Sequence, residues 1–380
     1  MIVEDRGLVF DATRQNDNSR VCAFVSMVAL GDGTLICGFQ NGPTKHAVTS
    51  TVRLCRSRDD GRNWEELPID FERTIDGKPG SLSSAEIVEA EPGRLLLFST
   101  WFDRSDPERP LFDPETEGIL HAKQLMAVST DQGQSWGSWQ KIPTPGLTGC
   151  AATGPSVRWD DGTIAFAFES YKDYDDPSPA RHGAWLLVSR DAGRSFEAPF
   201  LVAQHPDHSR YYWDQRLCLG TIPGEFIAMF WTHDLKQKTD LNVHFRRGLL
   251  GVDDFERHPI IDTGIPGQIC APVLLDDGRI LAFVVDRSQP GTMKLWQSHD
   301  DGRTWPETDA LVVYTHEERA AVSQGATDID FKQYWEDMSK WSFGHPAIRL
   351  LPDGRVLVVH YAGTPDCMSV HLARIDIANS

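Results

Sequence analysis

Charged and aromatic side chains stand next to one another at several points of the chain, in combinations that suit carbohydrate chemistry. Trp213-Asp214-Gln215-Arg216 sets a carboxylate, an amide and a guanidinium beside an indole, and Trp231-Thr232-His233-Asp234 adds an imidazole and a second carboxylate. Further candidates are Arg20, His46, Glu169 followed by Tyr171, Gln268, Arg287, His345 and Tyr361. Aromatic faces stack on the C–H surfaces of a sugar ring, while carboxylates, imidazoles and guanidiniums bind its hydroxyls and any carboxylate it carries. His46, His233 and His345 bring groups able to act as general acid or base near neutral pH. An arginine facing a uronate, with Tyr361 as proton donor, would also permit β-elimination.

These residues fall at recurring places in a regular pattern. An apolar segment, a turn ending in glycine and a second apolar segment rich in β-formers follow one another six times, around Asp32-Gly33, Pro92-Gly93, Asp161-Gly162, Pro223-Gly224, Asp277-Gly278 and Asp353-Gly354. Two β runs joined by such a turn predict a hairpin. A second motif follows four of the hairpins: SRDDGRNW from Ser57, STDQGQSW from Ser129, SRDAGRSF from Ser189 and SHDDGRTW from Ser298. Its aspartate can accept from backbone N–H groups further on, its glycine takes φ > 0, and the trailing aromatic packs on a neighbouring strand. Copies at intervals of tens of residues predict stacked or radially arranged units, with these turns holding the fold rather than doing chemistry. A degenerate copy lies at Gly251-Val252-Asp253-Asp254. Residues 331–341 are predicted as a helix or helical turn. The long excursions 104–121 and 315–340 are candidates to cover a site.

The totals narrow the function. A chain of 380 residues, 40% hydrophobic and 24% charged, has material for a large core, and no apolar run approaches a membrane span. The formal net charge of −18, without a basic cluster, disfavours nucleic acid and anionic membrane as partners. A few arginines in a cleft can still reverse the sign locally. Seven scattered cysteines form no CxxC pair, and the first residues lack a secretory pattern, so a reducing, cytoplasmic setting is expected. No cofactor and no metal motif is expected, and no oligomeric state follows.

With these turns the sequence resembles the Asp-box (BNR-repeat) sialidase-like propellers, in which the motif joins the third and fourth strands of a blade. The likeness runs over nearly the whole chain and is also carried by Gly264-Ile265-Pro266-Gly267-Gln268 and by Phe343-Gly344-His345-Pro346 leading to Tyr361. It implies an all-β fold, a six-bladed β-propeller forming a single domain over residues 1–380, with Gly7 to Phe10 and Val370 to Ile375 completing one blade. Strand direction alternates, so the glycine turns share one end of the ring. The starts of first strands and finishes of second strands, which hold the candidates above, share the other.

The resemblance further implies an exo-sialidase-type hydrolase removing a terminal, acidic sugar from a glycan. Arg216 and Arg287 would hold the sugar carboxylate, with Arg20 a shifted third arginine. Tyr361 would be nucleophile or proton donor, with Glu169 its partner. The blade-one loop from Gln40 to Thr51 has no aspartate, so His46 or Asp234 would handle proton transfer. His345 and Asp214 would orient these groups, and Gln215, Gln268, Trp231 and His233 complete the site. A polysaccharide lyase, a His-dependent glycosidase on uronate or deoxy sugars, and a non-catalytic glycan-binding propeller stand as alternatives.

Overall fold

The computed structural model describes residues 1–377 except 153, 253, 289 and 317–337. Its strands group into six blades, named from the innermost strand outward. Blade one is Val21–Ala29, Leu35–Gly42, Thr51–Ser57 and Glu65–Glu66; blade two is Lys78–Glu91, Arg94–Asp103, Ala122–Ser129 and Gln140–Ile142. Blade three is Ser156–Arg158, Ile164–Ser170, Gly183–Ser189 and Phe200–Ala203; blade four is Arg210–Leu219, Glu225–Asp234, His244–Leu249 and Ile261–Asp262. Blade five is Cys270–Leu274, Ile280–Asp286, Gly291–Ser298 and Leu311–His316. Blade six takes Phe343–Leu350, Val356–Thr364 and Cys367–Asp376, and its outer strand is the N-terminal Ile2–Phe10.

That outer strand pairs antiparallel with Cys367–Asp376, from Ile2 opposite Asp376 to Phe10 opposite Val370. Pairing the two ends of the chain satisfies a sheet edge that would otherwise be open. Blades one and six also touch through a parallel bridge between Val21 and Met368. The innermost strands contact one another in cyclic order, the sixth returning to the first. A small axial cavity of about 10 Å³ is lined from all six, by Ser26, Glu86, Pro155, Arg216, Ala271 and Ala347 among others. Apolar clusters fill the spaces between neighbouring blades, for example Ile36, Leu54, Ile87 and Leu97 between blades one and two.

All six predicted hairpins form, and the four octapeptides adopt one geometry. In the first, Ser57 Oγ accepts from Gly61 N at 2.9 Å, and Asp59 accepts from Asn63 N at 2.8 Å. Gly61, Gly133, Gly193 and Gly302 all have φ near 80°, where a side chain would be strained. Tied by these bonds, Asp59, Asp131, Asp191 and Asp300 are each pulled down to about 2. Of the predicted helix 331–341, only 338–341 lie within the described residues; 338–340 are helical and Trp341 is not. The excursion 315–340 falls mostly outside them. Among the described residues no helix is long and apolar enough to cross a membrane.

A repeated irregularity positions the chemistry. The innermost strands of blades one, two, four and six each slip register by a bulge, between Ala23 and Ser26, Ser83 and Glu86, Trp213 and Arg216, and Gly344 and Ala347. In each bulge a non-glycine residue turns left-handed: Phe24 (φ 51°), Ser84 (64°), Asp214 (48°) and His345 (53°). Such residues cost about 1–3 kcal/mol each and persist only where the surroundings hold them. Here the bulges bring Phe24 and Asp214 to the central cleft, and Ser26, Glu86 and Arg216 to the axial cavity below.

Candidate functional site

The central cleft opens on the end of the ring away from the octapeptide turns and holds about 100 Å³. Four residues expected from sequence line it: His46, Glu169, Asp214 and Trp231. Aromatic walls come from Phe24, Phe112, Tyr171 and Trp213. Glu169 ends the second strand of blade three and Asp214 sits in the bulge of blade four. Glu169 is tied to this bulge, because the Gln215 N–H donates to Glu169 Oε1 at 3.2 Å. Leu111 and Phe112, from the 104–121 excursion, form part of the wall. That excursion is anchored by Arg104, which donates to His46 O at 3.1 Å and Ser81 Oγ at 2.9 Å.

Beneath the cleft lies a cationic layer that contains more of the expected set. Lys45 Nζ donates to Tyr361 Oη at 3.0 Å and to Met338 O at 3.1 Å. Arg287 donates to Gln268 Oε1 and, at 2.9 Å, to Phe343 O, and its guanidinium lies 4.2 Å from the Trp341 ring centre. Arg216 Nη2 rests on the imidazole edge of His345, 2.6 Å from Nδ1 and 2.7 Å from Nε2. Tyr361, Arg216 and Arg287 are all buried. Gly344 permits this packing, because a Cβ there would overlap the Arg287 guanidinium.

The protonation states follow from these surroundings. Burial alone would raise the Tyr361 phenol, but Lys45 and Arg287 outweigh it and its pKa falls below the ordinary tyrosine value. His345 is driven well below the usual imidazole range by burial and then by Arg216, so at neutral pH it is an uncharged acceptor for that arginine. His46 falls to about 3, through burial and then Lys45 and Arg104. Neither imidazole carries the second, charging proton at pH 7. Their chemical capacity is that of neutral hydrogen-bonding groups.

The remaining expected residues sit elsewhere. His233 stacks on the far side of Trp213, ring centres 5.4 Å apart, and lines a separate chamber with Tyr211 and Lys172. Gln215 points into blade three, its amide donating to Phe168 O and Trp185 O at 2.9 and 2.8 Å. Asp234 holds its own loop, accepting from Lys236 N and Gln237 N and pairing with Arg210. Arg20 pairs with Asp17 on the surface at 3.1 Å. These last three are not among the cleft's lining residues.

Two acidic residues not singled out from sequence tie the arrangement together. Asp240 accepts from Trp231 Nε1 at 3.0 Å, His233 Nδ1 at 2.9 Å and Gln268 Nε2 at 3.0 Å, linking cleft wall to Arg287. It lies in the two-residue strand Thr239–Asp240, paired opposite His233, where no spacing marks it. Glu86 stands in the axial cavity 3.9 Å from Arg216, and burial, against the pull of Arg216 and Arg349, raises its pKa to about 8. A lone acid in the apolar run Ser84-Ala85-Glu86-Ile87-Val88 was the available signal. Among the described residues no group of His, Cys, Asp and Glu is arranged to hold a metal ion.

No protein-family model and no curated protein matches the chain. Solved structures do. A protein of unknown function from Dyadobacter fermentans is 18% identical, with 98% of each chain covered and a TM-score of 0.71. A Hadza microbial sialidase is 16% identical over 98% of this chain and 69% of its own, with a TM-score of 0.68. An α-L-arabinanase of Penicillium chrysogenum, complexed with arabinobiose, is 14% identical over 99% of both chains, with a TM-score of 0.63. At these identities the likeness is one of fold, and the chain has the propeller fold of a sialidase-like protein.

Proposed function

We propose that the protein is a glycoside hydrolase that removes a terminal, acidic sugar from a glycan at the central cleft. The observation that carries this reading is the entry of Glu169 and Asp214, from adjacent blades, into one aromatic-walled cleft above a cationic layer. Most glycoside hydrolases use two such carboxyl groups, one to protonate the leaving oxygen and the other to attack the anomeric carbon or activate a water. Trp213, Trp231 and Tyr171 offer stacking faces for the ring. Lys45, Arg216 and Arg287 supply a positive potential that favours a sugar carboxylate. The arginines' hydrogen bonds go to protein partners, so they act through their field. The similar folds of a sialidase and an arabinanase support the class of reaction.

The test is hydrolysis of p-nitrophenyl glycosides of sialic acid, galacturonic acid and arabinose by the wild type, Glu169→Gln and Asp214→Asn. Loss in both variants with melting temperatures unchanged is expected. Wild-type rates in both, or no turnover by the wild type, would sink the reading. A second reading centres on Tyr361, favoured by its bond to Lys45 and its lowered phenol. There Tyr361→Phe would abolish turnover while the carboxylate variants retained it.

A further inference from the structure

Beside the central cleft lies a larger chamber of about 670 Å³, and the two share His46, Leu111, Phe112 and Met338 as common walls. On another side the cleft shares no lining residue with the chamber that holds His233. Tyr171 and Tyr211 meet there with their hydroxyls 3.4 Å apart, backed by His182 and Trp213. The cleft is therefore small and walled by tyrosines on that side, while the chamber falls within the range of about 300–1,000 Å³ usual for ligand sites. A terminal sugar seated in the cleft, against Glu169 and Asp214, would have its next unit past His46, in the chamber.

The chamber is built rather than improvised. One wall is the blade-one loop 43–49 and the other is the excursion from blade two, around 107–114. Arg104 ties them together through His46 O, and Asp113 fixes its own turn by accepting from Glu115 N and Thr116 N at 2.8 Å each. Thr116 Oγ1 reaches across to Tyr174 O of the next blade's loop. Pro43, Pro107, Pro110 and Pro114 line the space, giving stiff walls with C–H faces. Lys45, Arg104 and Arg109 are set against Glu108, Asp113 and Glu117. Opposite charges in equal number suit hydroxyl-rich neutral units better than a polyanion.

We propose that this chamber, between loop 43–49 and segment 104–117, is the leaving-group subsite, taking the one or two neutral sugar units that precede the terminal residue. The proposal rests on the glycosidase reading and adds its direction: the chain leaves over blades one and two, with His46 at the seam beside the bond to be cut. A neutral imidazole there hydrogen-bonds the linkage or a neighbouring hydroxyl without adding charge.

Thr44 and Thr49 are exposed residues of the chamber wall, so Thr44→Trp and Thr49→Trp fill it without touching a core. Each is assayed on three pairs whose oligosaccharide has a neutral leaving group: p-nitrophenyl sialoside with 3′-sialyllactose, p-nitrophenyl galacturonide with galacturonosyl-(1→2)-rhamnose, and p-nitrophenyl arabinofuranoside with arabinotriose. On the pair the wild type cleaves, kcat/KM for the oligosaccharide should fall about tenfold or more in at least one variant, mainly through KM, while the nitrophenyl glycoside changes by less than about twofold. Equal losses on both members of a pair, or no loss on the oligosaccharide in either variant, overturn the subsite and leave the glycosidase reading standing. A wild type inactive on every pair overturns both.

Discussion

Glu86 gives the sharpest quantitative test of the axial arrangement. Its carboxyl is buried, its ion pair to Arg216 is long at 3.9 Å, and its pKa is raised from 4.5 to about 8. Between those values the folded protein keeps a proton that the unfolded chain has released, so the contribution to stability is complete below pH 4.5 and is lost as pH rises towards 8. At roughly 1.4 kcal/mol per pH unit of this window, the loss is about 1 kcal/mol at pH 5, about 3 at pH 7 and about 4 at pH 8. Glu86→Gln copies the shape of the protonated acid and has no proton to lose. Its melting temperature should match the wild type near pH 5 and exceed it by several degrees at pH 8, taking about 2 °C per kcal/mol. The assay is thermal and urea unfolding of both proteins at pH 5, 6.5 and 8, with only the difference between them interpreted. A glutamine variant less stable than the wild type by a constant margin at every pH would refute the reasoning. It would mean that Glu86 is ionised and truly paired, since removing one partner of a buried ion pair costs about 3–5 kcal/mol.

Other outcomes follow from the same geometry. Gly344→Ala should displace the Arg287 guanidinium, abolishing turnover and lowering the melting temperature together, because φ there is 143° and the new methyl has no room. Unchanged activity would show that Arg287 has slack. Asp300→Ala removes the acceptor for Thr304 N (2.9 Å) and Thr304 Oγ1 (2.6 Å) and should destabilise by about 1–2 kcal/mol while leaving KM unaltered, the turn lying at the other end of the ring. The four turn aspartates, held near 2, contribute stability present above the ordinary carboxylate range and lost as pH falls through about 2. Acid unfolding of a variant lacking one of them should begin at a higher pH, and an unshifted midpoint would refute that role. Asp240→Asn should lower kcat and shift its pH profile, because one of the three N–H groups now accepted by Asp240 would face an amide donor. A wild-type profile would make Asp240 a passive wall.

The ring was legible because it repeats. Six glycine-turned hairpins and four octapeptides carry their own spacing, and even the pairing of the two ends could be foreseen from a strand without a partner at each terminus. The candidate site was legible only as a rim. Two second strands, a bulge and a loop at that end brought Glu169, Trp231, Asp214 and His46 to one cleft, but polarity could not separate them from Asp234 and Gln215, which satisfy neighbouring backbone instead. Alternation in a strand says which face a side chain takes, and a bulge resets that alternation. This is why Arg216 and His345, expected at the rim, lie in a buried layer in contact with each other. Asp240 was beyond reach for a different reason: its partners are 9, 7 and 28 residues away, two on the second strand of blade four and one just before the first strand of blade five.

The seam between Ile2–Phe10 and Cys367–Asp376 has a consequence for how the molecule is made. Blades one to five can each assemble as their residues leave the ribosome, but the sixth must wait, with its outermost strand synthesised first and its neighbour last. Until then the first blade has only one of its two flanking blades and the cleft has no fixed floor, since Tyr361 and His345 both belong to the late piece. Closing the ring, and with it the floor of the cleft, is thereby tied to the pairing of these two strands.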